Sequence, residues 1–165
     1  MIPAIVGARP RSRSRLASLM AVAAVIVFAS PALASAQTRI NGAGISKVLH
    51  DTRKLTVEAQ AGPSGLSSGS VSFLHNSPAG LTRFRGTISC VRVSGGTAQV
   101  SGVIDKGETA TGALLDGKAF AFTINTSSKP QTFSLPNYAD AGGIAACSGG
   151  RPETVPVTED GFKIQ

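Results

Sequence analysis

The 165 residues carry 16 lysines and arginines against 9 acids, a formal charge of +7, with two cysteines, two histidines and no tryptophan. Four of the arginines (Arg9, Arg11, Arg13, Arg15) fall in the first 15 residues with no acid among them, so the remainder holds 12 basic and 9 acidic residues, or +3. That modest balance, with no run of Lys and Arg interleaved with aromatics, excludes the electrostatic footprint of a nucleic-acid binder.

The first 36 residues read as an address. A basic tip over 1–15 is followed by an uncharged apolar run over 16–29. Ser30-Pro31-Ala32-Leu33-Ala34-Ser35-Ala36 then offers small residues at Ala34 and Ala36, the order of a secretory signal peptide cut between Ala36 and Gln37. The apolar run is shorter than the roughly 20 residues a membrane span needs. An uncleaved anchor is the rival reading. No later stretch is apolar enough to span, so no transmembrane segment is expected once the leader is gone.

Residues 37–165 are enough for one domain. Their core must come from Val, Ile, Leu and Ala, with six of the seven phenylalanines and one tyrosine. Cys90 and Cys147 are an even count in an exported chain and are not in Cys-x-x-Cys spacing, which predicts one structural disulfide.

In chain order, Ile45, Val48, Leu49, Thr52 and Leu55 fall at helical spacing, so 46–54 reads as a short helix or, equally, as loop or strand. Residues 54–59 and 70–74 read as strands separated by the Gly/Ser/Pro-rich stretch 62–69. The clearest element is a hairpin over 83–104. Its first arm is rich in β-branched residues, Ser94-Gly95-Gly96 supplies the turn, and Ala98, Val100, Gly102 and Ile104 alternate onto one face. A second hairpin is expected from 109–115 through Asp116-Gly117 into 118–126, with Phe120, Phe122 and Ile124 facing the core. Residues 136–151 read as a long connection carrying Cys147. A last hairpin is expected from 154–157 through Glu159-Asp160-Gly161 to 162–164. The whole predicts an all-β domain over 37–165, an antiparallel β-sandwich or flattened barrel of about seven to nine short strands, which share the same alternation.

The run Gly86-Thr87-Ile88-Ser89-Cys90-Val91-Arg92-Val93-Ser94-Gly95-Gly96-Thr97-Ala98-Gln99-Val100-Ser101-Gly102-Val103-Ile104 resembles the core of a family of small secreted bacterial β proteins. That core reads Gly-x-Ile-x-Cys-Val-x-Val-x-Gly-Asn-x-Ala-x-Val-x-Gly-x-Ile. Cys147 and the closing Gly161-Phe162-Lys163-Ile164 suit the same layout. Gly96 replaces the usual Asn, and Phe122-Thr123-Ile124-Asn125-Thr126-Ser127 lacks the Asp and Gly of the element expected there. The resemblance implies a secreted β fold and brings no activity with it.

Chemistry-bearing patterns are sparse. His50 and His75 have no partner at ligand spacing, and a zinc site needs three or four convergent ligands, so no metal and no cofactor are expected. Gly65-Leu66-Ser67-Ser68-Gly69 spells a nucleophile elbow but lacks the strand-to-helix setting. His50-Asp51 as part of a triad fails because neighbours on a strand face opposite ways. Glu58, Asp105, Glu108 and Asp116 would form a glycosidase pair only if the fold made two of them converge. No catalytic residue is therefore assigned. The expected role is an exported, non-enzymatic module at the cell envelope or outside the cell, with an envelope polysaccharide or protein as partner. The alternatives are a small-ligand carrier or a small-barrel enzyme. Whether Phe73, Phe84, Phe120, Phe122 and Phe162 line a hollow or fill a core separates carrier from module.

Overall fold

The computed structural model describes residues 37–62 and 66–165; the expected leader, Ala36 included, lies outside them. Gln37 is exposed, and its side-chain amide meets that of Gln60 at 3.0 Å.

The described residues form ten antiparallel strands and no helix, as the all-β reading requires. These are β1 (Thr38–Val48), β2 (Asp51–Ala61), β3 (Ser67–Ser77), β4 (Gly80–Ser94), β5 (Thr97–Glu108), β6 (Ala119–Asn125), β7 (Thr132–Ser134), β8 (Asn137–Ala139), β9 (Thr154–Pro156) and β10 (Glu159–Ile164). They belong to one continuous sheet in the order β10-β1-β2-β3-β4-β5-β6-β7-β9, with β8 beside β6. Of the two layouts left open by alternation, the chain adopts a sheet curled into a half-barrel. The count exceeds seven to nine, and β1 to β5 are long, at 11 to 15 residues.

Alternation explains the curl. On β2, Leu55, Val57 and Ala59 are buried; on β3, Val71 and Phe73; on β4, Phe84 and Ile88; on β5, Ala98, Val100 and Ile104. One face of β2 to β5 is thus largely apolar, and curling lets a single sheet bury that face against itself. The phenylalanines fill the interior. Ring centroids lie 5.5 Å apart for Phe73 and Phe84, 5.7 Å for Phe84 and Phe120, and 5.8 Å for Phe120 and Phe122. Gly102 makes room for this packing, because a Cβ there would strike the Thr87 carbonyl and stand 2.9 Å from the Phe120 ring. Phe133 and Phe162 add an edge-to-face pair at 6.1 Å.

The hairpin over 83–104 forms as expected, with Gly95 and Gly96 at φ +55° and +78° in its turn. Of the readings left open for 46–54, strand is the one found: these residues make the β1–β2 hairpin, whose ladder runs unbroken from Thr38↔Ala61 to Val48↔Asp51. Two local readings are corrected. Asp116-Gly117 is a turn, but 109–115 is not a strand; β6 pairs with β5 instead, where its phenylalanines meet the apolar face. Glu159-Asp160-Gly161 is not a turn between paired arms. It begins β10, which pairs with β1, while β9 pairs with β7.

Cys90 and Cys147 are bonded, with Cα atoms 5.1 Å apart, and the bridge pins the 136–151 connection to the sheet. The Cys147 amide also donates to Ser101 Oγ at 2.9 Å, which gives the buried Ser101 hydroxyl a partner.

Candidate functional site

The meander sets where polar groups collect. Antiparallel order puts the β1–β2 turn (49–50), the β3–β4 turn (78–79) and the β5–β6 connection (109–118) at one end of the half-barrel. Gly62 and Leu66, Gly95-Gly96 and 126–131 lie at the other.

At the first end the inner face turns polar. Register aligns Ser46 with Arg53, Arg53 with His75, and His75 with Thr82, a row across four strands just beyond the last phenylalanine layer. Arg53 donates to one Asp51 carboxylate oxygen, and His75 Nε2 lies 2.7 Å from the other. At that distance the ring nitrogen carries the proton and donates it, so Arg53 Nε, 3.4 Å away, packs beside the ring rather than bonding it. The three side chains are 16–25% exposed, so these ion pairs are better shielded than those on the strand exteriors. Thr82 Oγ1 accepts from the Ala110 amide at 2.9 Å and ties the β5–β6 connection to this end. Ser46 is buried, and its Oγ has no partner among the described residues.

This grouping joins residues 24 apart in sequence, and no spacing rule would have found it. Register delivers His75 to Asp51, whereas His50 stays exposed in the turn. The other candidates do not assemble. Glu58 pairs with Arg39 at 2.9 Å and Glu108 with Arg83 at 2.9 Å. Asp105 accepts from Thr87 Oγ1, and Asp116 Oδ1 accepts from the Gly107 amide at 2.8 Å. Each carboxylate has its own partner. Ser67 Oγ accepts from the Val91 amide at 2.9 Å, a structural bond at the start of β3. Among the described residues no group of three or more His, Cys, Asp or Glu side chains is placed to hold a metal ion. Among the described residues no helix is long and apolar enough to cross a membrane, which says nothing of a β-barrel.

The outer face is organised differently. Thr56, Ser72, Arg85 and Lys106 lie side by side across β2 to β5, and the next row holds Lys54, Leu74, Arg83 and Glu108. Arg85 thus stands directly opposite Lys106, an arrangement that costs stability between neighbouring strands. Lys54, Arg85 and Lys106 are exposed and enter no ion pair, although five of the nine acids do. The same end as the Asp51 cluster also exposes Val48 (48%), Leu49 (98%) and Leu114 (71%).

No protein-family model matches the chain, and no curated protein or solved structure matches it either.

Proposed function

We propose that this chain is an exported, non-enzymatic β module that binds at the cell envelope or outside the cell through its outer surface. The observation that carries this reading is the set of cations on the β2–β5 outer face. Arg85 and Lys106 face each other, with Lys54 in the next row on β2, and no carboxylate pairs with them although five of the nine acids are ion-paired elsewhere. A partner with anionic groups would relieve that repulsion. The interior favours the same view over a carrier. Phe73, Phe84, Phe120 and Phe122 stack through it in consecutive contacts, which is how a filled core is built. The leader pattern over 1–36 and the likeness to secreted β proteins support export.

The test is binding of the purified chain to envelope preparations from its own host across a salt series. Each cation near an anionic surface contributes about 1 kcal/mol, so the double variant R85E/K106E is expected to bind about tenfold more weakly or worse at low salt. Equal binding by the variant would overturn the reading. So would turnover of a substrate that Asp51→Asn abolishes.

A further inference from the structure

The β1–β2 connection breaks the usual rules for a tight hairpin. Val48 pairs with Asp51, so only Leu49 and His50 make the turn, and Leu49 adopts φ +53°. Asn and Gly occupy that left-handed region readily, whereas a leucine there is an outlier. It gains no burial in exchange, since Leu49 is 98% exposed. A strained apolar residue presented to solvent at a turn tip points to a surface that receives it.

Its surroundings say which kind. Val48, the last residue of β1, and Leu114, from the β5–β6 connection, are also exposed at this end, so its apolar character does not rest on one side chain, although Leu66 is exposed at the other end as well. Three of the acids nearby are ion-paired, Asp51 with Arg53, Glu108 with Arg83, and Glu159 with Lys47, while the exposed Asp116 accepts from the Gly107 amide. Three cations that enter no ion pair, Lys54, Arg85 and Lys106, stand behind the tip; Arg92, Lys129, Arg151 and Lys163, on other segments, enter none either. At about 3.3 Å per residue, Lys54 lies roughly 10 Å along β2 from the turn, and Arg85, opposite Lys106, roughly 17 Å along β4 from Gly80. An apolar layer followed by a cationic layer mirrors the section of an anionic bilayer, where interfacial segments bury apolar groups about 5–10 Å deep beside charged headgroups.

We propose that this end of the half-barrel is a membrane-docking tip. Leu49, Val48 and Leu114 enter the interface of an anionic lipid surface, and Lys54, Arg85 and Lys106 lie against its headgroups. The inference rests on the reading that the chain acts through its outer surface, and it names the partner.

Flotation of the full chain with phosphatidylcholine vesicles, with and without phosphatidylglycerol, tests it. Wild type and variant differ only at the tip, so any contribution of residues 1–36 is common to both. Binding is expected to require phosphatidylglycerol and to weaken with salt. Leu49→Gly should weaken it about tenfold or more, by the loss of one buried leucine, while leaving the melting temperature unchanged or higher. Leu114→Ser should weaken it in the same direction from an independent connection. Equal flotation of wild type and both variants, or no flotation with either vesicle, overturns the docking tip. If vesicles are not bound but lipid-extracted envelope still is, the lipid partner is wrong and the surface-binding reading stands. If neither is bound, both fall.

Discussion

The meander from β1 to β6 and the segment from residue 126 to 165 are held by different means. In the meander, neighbouring strands are long and three of the turns have two residues, so each strand is satisfied by an almost continuous backbone ladder. The later segment has strands of three residues, apart from β10, and lengthy connections. Side chains do there what ladders do elsewhere. Ser134 Oγ accepts from the Thr123 amide at 2.9 Å, and Gln131 reaches across to β10, accepting from the Phe162 amide at 2.8 Å and donating to its carbonyl at 3.1 Å. Thr158 fastens to the Ile45 carbonyl through both its amide and its hydroxyl. The disulfide completes the strapping. Local pattern therefore governs the first region, and a few specific long-range bonds govern the second.

Four variants would break or sharpen this contrast. Phe120→Ala removes the ring at the centre of the stack and should cost about 3–5 kcal/mol in chemical denaturation, lowering protection of both regions together. Replacing Cys90 and Cys147 with serine releases a loop of 57 residues and should cost about 4 kcal/mol in the chain-entropy model. Here hydrogen exchange should report the loss first over 136–151, with β2 to β4 still protected. Uniform loss would mean that the strap and the meander are one cooperative unit. Gln131→Ala leaves the Phe162 amide and carbonyl without their partners and should cost about 1–3 kcal/mol, read as a lower denaturation midpoint. The smallest effect is at Asp140, whose carboxyl is held below the ordinary aspartate range by its hydrogen bond to Lys118 and that residue's charge. The pair's contribution is present above the ordinary aspartate value and is lost as pH falls through the lower folded one. Asp140→Asn should flatten that acid limb slightly; because the group is fully exposed, a large change in the pH profile would show that it does more than decorate the surface.

The same contrast explains what could be read beforehand. Gly95-Gly96 and the alternation through Ala98, Val100 and Ile104 are local signals, and the hairpin they describe is present. Leu49-His50 carries no turn chemistry, so 46–54 stays open between helix, loop and strand until its pairing is seen. Asp116-Gly117 was a true turn with the wrong arms assigned, because β6 is drawn to β5 by Phe120 and Phe122 rather than by the nearest strand-like segment. Asp160, at φ +62°, looked like a turn residue and is accommodated inside β10. The disulfide followed from an even cysteine count, outside Cys-x-x-Cys spacing, in a chain expected to be exported. The Asp51–His75 pair and the Arg85–Lys106 opposition depend on register between distant segments, which alternation does not number.

One feature of the sheet reaches into how the molecule is made. Its two ends are carried by neighbouring pieces of chain, β9 against β7 and β10 against β1, so Ile40 waits for Ile164. Contacts this far apart close slowly. Until they do, β1 offers a bare row of amides and carbonyls over Ile40–Ile45, a template on which another copy could lay its own strand. The last strand therefore acts as a guard against self-association as much as a piece of architecture, and a chain stopped before Glu159 would be expected to pair edge to edge with its own kind.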